Sequence, residues 1–241
     1  MDKALKRLME EANEKKQVAI AILTFCLIGF LLIAVLRGAF SGINNEVNLW
    51  IVTIHNNNNF TAVANLVADG FDTTVLLPLS LVIGAALFVV KKRKYALLLV
   101  GGMGGNAVML LVLKTFIYSP RPLNGLIIET SNSFPSGHTT STVVLFGLLT
   151  FFAWQTWKCM AIKITSSAIY LTLISLVGFT RLYLNVHWLT DVIGGYFLGA
   201  FWVTFCIILS PYIIQLYKQN IRRRYPSKNR NNAHKEHDLL R

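Results

Sequence analysis

Long uncharged apolar runs, separated by short polar stretches, dominate the pattern of this chain. Six of these runs approach or exceed the length at which an α-helix crosses the ~30 Å hydrocarbon core of a bilayer. They cover residues 17–36, 73–90, 95–113, 139–157, 164–179 and 191–214. The pattern predicts an all-α, polytopic membrane protein built as a bundle of six transmembrane helices.

The segments outside the six runs are polar. Residues 1–16 alternate acidic and basic side chains around apolar residues at helical spacing, which indicates an amphipathic surface helix or, alternatively, a solvated tail. Residues 37–72 form a polar connection in which 47–54 could be helical at the interface. Residues 215–241 have the composition of a disordered basic tail. We therefore divide the chain into an N-terminal segment (1–16), a six-helix membrane domain (17–214) and a tail (215–241).

Composition supports a membrane protein. The 241 residues are 54% hydrophobic and only 14% charged, whereas about 25% charged is usual for soluble domains. The net charge of +12 does not indicate a nucleic-acid partner, because the basic residues flank apolar runs. Cys26, Cys159 and Cys206 are widely separated and lie in or beside apolar runs. This placement favours free thiols over a disulfide or a metal site.

Basic residues concentrate in alternate segments, which predicts the orientation. They are frequent in residues 1–16, 91–94 and 158–163 and in the tail, and sparse in the segments between. Cytoplasmic segments carry the excess of Lys and Arg, so both termini are predicted to be cytoplasmic in a multi-pass plasma-membrane protein. The first, third and fifth connections then face outward. The first apolar run lacks a small-residue cleavage site, so we expect it to be retained as a helix.

Two polar clusters lie in the third connection, which is predicted to face outward. Lys114 ends an apolar run and Arg121 follows Pro120. A cation at a span end needs an anion, although snorkelling to the headgroups is the alternative. Farther on, Ser136 and Gly137 stand at a predicted helix N-terminus, where free N–H groups can bind an anion. His138 falls in the first turn. Taken alone, the second cluster is explained more simply by an ordinary Pro-Ser-Gly cap with an incidental histidine.

A third cluster surrounds residues 181–191. His187 and Asp191 are four residues apart, so on a helix they would share a face. A carboxylate on one imidazole nitrogen fixes the tautomer and frees the other nitrogen to act as a nucleophile or base. Arg181 could hold an anion nearby, and Asn185 is predicted to cap the sixth helix. The alternative is an interfacial ion pair between Arg181 and Asp191 beside a hydrated surface histidine.

Taken together, the three clusters suit a phosphate ester. Three cations can neutralise the oxygens of a transferring phosphoryl group, while one histidine attacks phosphorus and the other protonates the leaving oxygen. No spacing of Cys, His or carboxylates suggests a metal, and no cofactor is expected.

Three motifs carry a resemblance to a known family. Lys-x6-Arg-Pro, Pro-Ser-Gly-His and Arg-x5-His-x3-Asp occur in this order, and the region around residues 70–214 resembles the type 2 phosphatidic acid phosphatase (PAP2) superfamily of integral membrane lipid phosphatases. The resemblance implies a metal-independent reaction in which His187 forms a phosphohistidine, Asp191 orients it and His138 is the general acid. The residues that it implies for phosphate binding are Lys114, Arg121, Ser136, Gly137 and Arg181. One departure is Thr180, where the third motif usually begins with Ser.

The expected function is removal of a terminal phosphate from a lipid phosphate or diphosphate at the outer leaflet. Undecaprenyl diphosphate and phosphatidylglycerophosphate are the substrates that the resemblance favours. The expected partners are this lipid and the bilayer, with no protein partner indicated. Two alternatives stay open: phosphotransfer from the same phosphohistidine to another acceptor, and a transporter or structural protein whose outer cations bind lipid headgroups.

Overall fold

The structure is a computed structural model that describes residues 3–55 and 58–224. Within these ranges all regular secondary structure is α-helical, which confirms the predicted all-α class. The helices are α1 (Lys3–Leu36), α2 (Ser41–Thr53), α3 (Asn58–Gly70), α4 (Thr73–Val89), α5 (Arg93–Phe116), α6 (Gly137–Thr156), α7 (Met160–Tyr183) and α8 (Leu189–Arg224).

Each of the six predicted apolar runs lies in a helix of its own, namely α1 and α4–α8. The polar connection 37–72 holds the two short helices α2 and α3, of which α2 contains most of the helical stretch expected there. Helix α1 passes residue 16 without a break, and α8 continues past residue 214 to Arg224. The remainder of the predicted disordered tail, residues 225–241, lies outside the described residues.

Four helices in the described part of the chain are long and apolar enough to cross a membrane. They comprise Asn13–Leu36, Arg93–Phe116, Met160–Tyr183 and Leu189–Tyr212. A fifth candidate arises if α3 and α4, which meet at a bend of 53°, form one span. The protein is therefore a multi-pass membrane protein with four to five candidate spans by this measure. Helix α6 is not among them, because it opens with Thr139-Thr-Ser-Thr142 and is less apolar.

Helix α6 is the central helix of the bundle and packs against α4, α5, α7 and α8. The core around it contains Leu99 and Met103 of α5 and Val144 and Leu148 of α6, all nearly fully buried. Helix α1 packs chiefly on α8 and exposes many apolar side chains, as a lipid-facing helix does. The polar start of α6 is tolerated because protein, and not lipid, surrounds it.

The antiparallel packing brings one end of every long helix to the same end of the bundle. Helices α1, α5 and α7 end there, and α4, α6 and α8 begin there. The loop of residues 117–136 crosses this end and is tied to it through the bond from Leu126 N to Leu184 O, 2.9 Å. Helix α2 packs here as well, since Asn44 Nδ2 donates to Thr190 Oγ1 at 3.0 Å. All three polar clusters of the sequence meet at this end.

Candidate active site

The N-terminus of α6 is built as the sequence predicted. Ser136 is the N-cap, and its Oγ accepts bonds from Thr139 N at 3.5 Å and Thr139 Oγ1 at 2.9 Å. Gly137 is the first helical residue, and His138 lies in the first turn. Ser136 N also donates to Asp191 O at 3.1 Å, which fixes the start of α6 against the start of α8. The free N–H groups of this first turn provide a site for an anion.

The contact between His187 and Asp191 forms, but not on a shared helix face. His187 precedes the first residue of α8, and its Nδ1 lies 3.4 Å from Asp191 Oδ2. The same Oδ2 accepts a bond from Trp188 N at 2.8 Å, so Asp191 folds back to cap its own helix. Both side chains are buried, His187 at 3% exposure. The alternative of a hydrated surface histidine is therefore wrong.

Sequence analysis predicted that Asn185 caps the sixth transmembrane helix, which is α8. The structure corrects this, because Asn185 lies at the end of α7 instead. It follows the C-cap of α7 with φ 56°. Its N–H donates to Leu182 O at 2.8 Å, and Val186 N–H donates to Arg181 O at 3.3 Å. This pair of bonds is a Schellman motif, in which Asn tolerates the left-handed conformation. The motif turns the chain so that His187 points into the site.

Arg121 and Arg181 converge on one carboxylate, that of Glu129. Arg181 is fully buried and its Nη2 donates to Glu129 Oε1, while Arg121 Nη2 lies 2.7 Å from Glu129 Oε2. The Nε and Nη1 atoms of Arg181 are buried and have no hydrogen-bond partner within residues 3–55 and 58–224. Arg181 thus pairs with Glu129 and not with Asp191, contrary to the interfacial ion pair considered above. Two guanidinium groups that share one anion, with donors to spare, form a site suited to a multiply charged oxyanion.

Lys114 and Arg121 point into the protein and do not snorkel outward. Lys114 Nζ donates to Asn132 O at 2.7 Å and to Ser131 Oγ at 3.2 Å. Arg121 Nη1 donates to Val186 O at 2.7 Å and lies 3.3 Å from His187 Nε2. The loop of residues 117–136 therefore holds both cations against the helix ends.

The position of Arg121 defines the protonation state of His187. A guanidinium group can only donate, so the ring nitrogen facing it carries a lone pair. Burial, and next the positive charges of Arg121 and Arg181, hold the pKa of His187 well below its ordinary value of 6.5. The neutral ring then carries its proton on Nδ1, toward Asp191, and its lone pair on Nε2, toward Arg121.

Two carboxylates at the site were missed by sequence analysis. Glu129 lies in the loop between the first two motifs and has no spacing relation to either. Asp72 is the N-cap of α4, and its Oδ2 lies 3.0 Å from His138 Nε2. An Asp directly before an apolar run that opens with Thr73-Thr74 is a signal for an N-cap, but nothing in the sequence connects it with His138.

A comparison with known families identifies the superfamily. A model of the PAP2 superfamily matches residues 95–215, which is half of the chain. The chain belongs to the PAP2 superfamily.

Similar proteins agree with this assignment. Phosphatidylglycerophosphatase B of Bacillus subtilis is 35% identical over 141 residues, which cover 58% of this chain and 68% of that protein. A crystal structure described as the first transmembrane PAP2 type phosphatidylglycerolphosphate phosphatase, also from Bacillus subtilis, is 28% identical with a TM-score of 0.71 and covers 81% of this chain and 96% of its own. LpxE of Aquifex aeolicus is 27% identical with a TM-score of 0.54, over 70% of this chain and 95% of its own.

As a PAP2 protein of this kind, the chain is a membrane lipid phosphatase, and hence a hydrolase. The superfamily match contains all the predicted site residues, and the structure brings them together at one end of the bundle. They are Lys114, Arg121, Ser136, Gly137, His138, Arg181, His187 and Asp191. Asp72 lies outside the matched region. Thr180, the departure from the third motif, donates its hydroxyl to Val177 O at 2.8 Å within α7.

Proposed function

We propose that the protein hydrolyses the terminal phosphate of a lipid phosphate or diphosphate at the outer leaflet, through a phosphohistidine on His187. One observation supports this proposal most strongly. The buried His187 has Nδ1 toward Asp191 and Nε2 toward Arg121, beside the unpartnered donors of Arg181. A neutral histidine nitrogen next to two guanidinium groups that can bind an oxyanion is the arrangement that phosphoryl transfer needs.

Substrate phosphate takes the place of the Glu129 carboxylate, which pairs with two arginines of the site. The phosphate displaces the Glu129 carboxylate from Arg121 and Arg181 and gains the free Nε and Nη1 donors of Arg181. Lys114 and the N-terminus of α6, at Ser136 and Gly137, complete the charge neutralisation. These groups hold the equatorial oxygens as negative charge spreads over them in the transition state.

The reaction then proceeds in two displacements. His187 Nε2 forms a bond to phosphorus while the bond from phosphorus to the lipid oxygen breaks, and His138 donates a proton to that oxygen. Asp191 stabilises the positive charge that develops on His187. In the second step water attacks phosphorus, the N–P bond breaks and His138 takes the proton from the water. The products are the dephosphorylated lipid and inorganic phosphate.

Six membrane spans and two cytoplasmic termini belong to this proposal. Helix α6 has 20 residues, enough for ~30 Å at 1.5 Å per residue. Helix α4, which begins at the site end after the bend from α3, supplies another span. The site lies at the end of the bundle opposite the basic connections 91–94 and 158–163. Positive-inside counting therefore directs the site outward from the plasma membrane, and the domain division 1–16, 17–214 and 215–241 follows the same topology.

The substrate is a lipid that stays in the bilayer. The similarity to phosphatidylglycerophosphatase B favours phosphatidylglycerophosphate, and an outward-facing site also suits undecaprenyl diphosphate. The substrate and the bilayer are the proposed partners, with no protein partner and no nucleic acid. Metal independence stays a prediction, in which the cations of the site take the role of a metal.

Phosphate release by purified protein in detergent with excess EDTA tests the proposal. Both lipids are assayed with the wild type and with His187→Ala, whose fold is checked by circular dichroism. We expect release that survives EDTA and is lost in the variant. Release abolished by EDTA would contradict metal independence. Release that requires an added acceptor would support phosphotransfer, and no reaction under either condition would exclude both lipids as substrates.

A further inference from the structure

We propose that Asp72 is a positioning residue for His138, the general acid. Its carboxylate holds the Nε2 of His138, so that Nδ1 is the nitrogen that delivers the proton to the leaving lipid oxygen. The inference rests on the proposed function and extends it to a residue outside the region that matches the superfamily.

The carboxylate of Asp72 is held in place from two sides. As the N-cap of α4 it accepts bonds at Oδ1 from Thr74 N at 2.7 Å and from Thr74 Oγ1 at 2.5 Å. Oδ2 is left for His138 Nε2 at 3.0 Å. The capping bonds therefore orient the second oxygen toward the histidine, and the backbone of α4 sets its position.

Further contacts align the start of α4 with the start of α6. Thr73 Oγ1 and Ser141 Oγ are 2.9 Å apart, and Asn106 Nδ2 also donates to Ser141 Oγ at 2.9 Å. Ser141 lies one turn beyond His138 on α6 and is fully buried. This polar chain holds Asp72 against His138 independently of their own contact.

The charges around His138 explain why it needs a carboxylate. Burial, and next the positive charges of Arg181 on α7 and Lys114 on α5, lower the pKa of His138, whereas the negative charges of Asp72 and Glu129 oppose this shift. Substrate phosphate displaces Glu129 from its guanidinium partners. Asp72, which does not belong to the phosphate site, then remains in contact with His138 to stabilise the imidazolium form.

This arrangement separates the roles of the two ring nitrogens. In the imidazolium, Nε2–H stays bonded to Asp72 while the Nδ1 proton moves to the lipid oxygen as its bond to phosphorus breaks. The neutral ring that remains has its lone pair on Nδ1, where it can accept a proton from the attacking water in the second step. Asp72 touches neither the substrate nor the phosphorus and acts only through His138.

The test compares kcat/KM for two substrates that differ in whether their leaving group needs a proton. Asp72→Asn and Asp72→Ser both keep an N-cap but remove the carboxylate. We expect kcat/KM for the lipid phosphate, whose alkoxide leaving group needs a proton, to fall by about 10–100-fold. For p-nitrophenyl phosphate, whose phenolate leaves unprotonated, kcat/KM should change little. His138→Ala should show the same selectivity more strongly, and His187→Ala should lose both reactions.

Asp69→Asn is the matched control, because Asp69 is an exposed carboxylate at the end of α3. It should behave like the wild type with both substrates. A second measurement, the pH dependence of kcat/KM with the lipid, should show the alkaline limb of Asp72→Asn at lower pH than in the wild type. Equal losses with both leaving groups, or an unmoved alkaline limb, would overturn the inference and leave Asp72 as a helix cap.

Failure of this inference is distinguishable from failure of the proposed function. If the wild type releases no phosphate, or if His187→Ala retains activity, the proposed function fails. If these two behave as expected while Asp72→Asn matches Asp69→Asn, only the role of Asp72 is excluded.

Discussion

At the scale of single residues, the two histidines differ in the nitrogen that a carboxylate holds. Asp191 faces Nδ1 of His187 at 3.4 Å, whereas Asp72 faces Nε2 of His138 at 3.0 Å. In the proposed reaction their chemistry differs accordingly, because His187 must be neutral to attack and His138 must be protonated to donate. The spacing of the motifs predicted both histidines and Asp191. It could not predict Asp72, whose contact with His138 joins distant parts of the chain.

The pKa of His187 provides a direct test of its readiness to attack. Burial and neighbouring cations lower this pKa, so the ring stays neutral as the pH falls from 7 through 6.5. In a nuclear magnetic resonance titration of histidine-labelled protein, the resonance that His187→Ala removes should titrate below pH 6.5. A midpoint at or above 6.5 would show that the ring is not held neutral.

Glu129 pairs with both arginines of the proposed phosphate site, which predicts a gain of affinity for phosphate when its charge is removed. In Glu129→Gln the guanidinium groups of Arg121 and Arg181 lose their carboxylate. Inorganic phosphate should then inhibit more strongly, by roughly tenfold if the lost competition amounts to about 1.4 kcal/mol. Glu46→Gln, an exposed position on α2, is the control. An unchanged or higher inhibition constant in Glu129→Gln would show that the carboxylate does not compete with phosphate.

At the scale of elements, helix ends and close helix contacts position the site. The Schellman motif of α7 and the self-capping of α8 orient His187, and neither followed from apolar periodicity. The sequence indicated a cap at Asn185 but assigned it to the wrong helix, because Asn is common both before a helix and after one. Helices α6 and α8 approach closely at Gly195 and Gly199. This approach holds Ser136 against Asp191.

The contact at Gly199 predicts a loss of stability on adding one methyl group. A Cβ there would lie 2.6 Å from Val143 Cβ and 3.1 Å from Thr140 O, atoms fixed to the backbone of α6. Gly199→Ala should lower the free energy of unfolding by about 1–3 kcal/mol, seen as a lower Tm in detergent. Gly101→Ala, where nothing lies within 4 Å, should be neutral or stabilising. Equal Tm values for the two variants would contradict tight packing of α6 against α8.

At the scale of the whole molecule, each of the six apolar runs predicted a helix, but only four to five candidate spans stand out in the described part of the chain. Each apolar run forms a helix because its length and composition favour helical structure. Helix α6 differs in that its polar first turn belongs to the site, so hydropathy alone does not mark it as a span. The bend of 53° between α3 and α4 lies at the site end and is likewise not encoded by a run of apolar residues.

Cysteine labelling tests the proposed orientation. Cys159 is exposed in the connection between α6 and α7, at the end opposite the site, while Cys26 and Cys206 are buried. In intact cells a membrane-impermeant maleimide should label Cys159 only after permeabilisation. Leu123→Cys, at a fully exposed position of the site loop, should be labelled without it in a Cys159→Ser background. The reverse pattern would place the site in the cytoplasm.

The central claim is a covalent phosphohistidine at His187, and trapping it is the most direct test. Substrate labelled in its terminal phosphate is mixed with the protein in EDTA, the reaction is quenched with alkali, and the labelled peptide is mapped. We expect an acid-labile, alkali-stable phosphate on the peptide containing His187, and none in His187→Ala. Phosphate release without any trapped label, or label that persists in His187→Ala, would contradict the account.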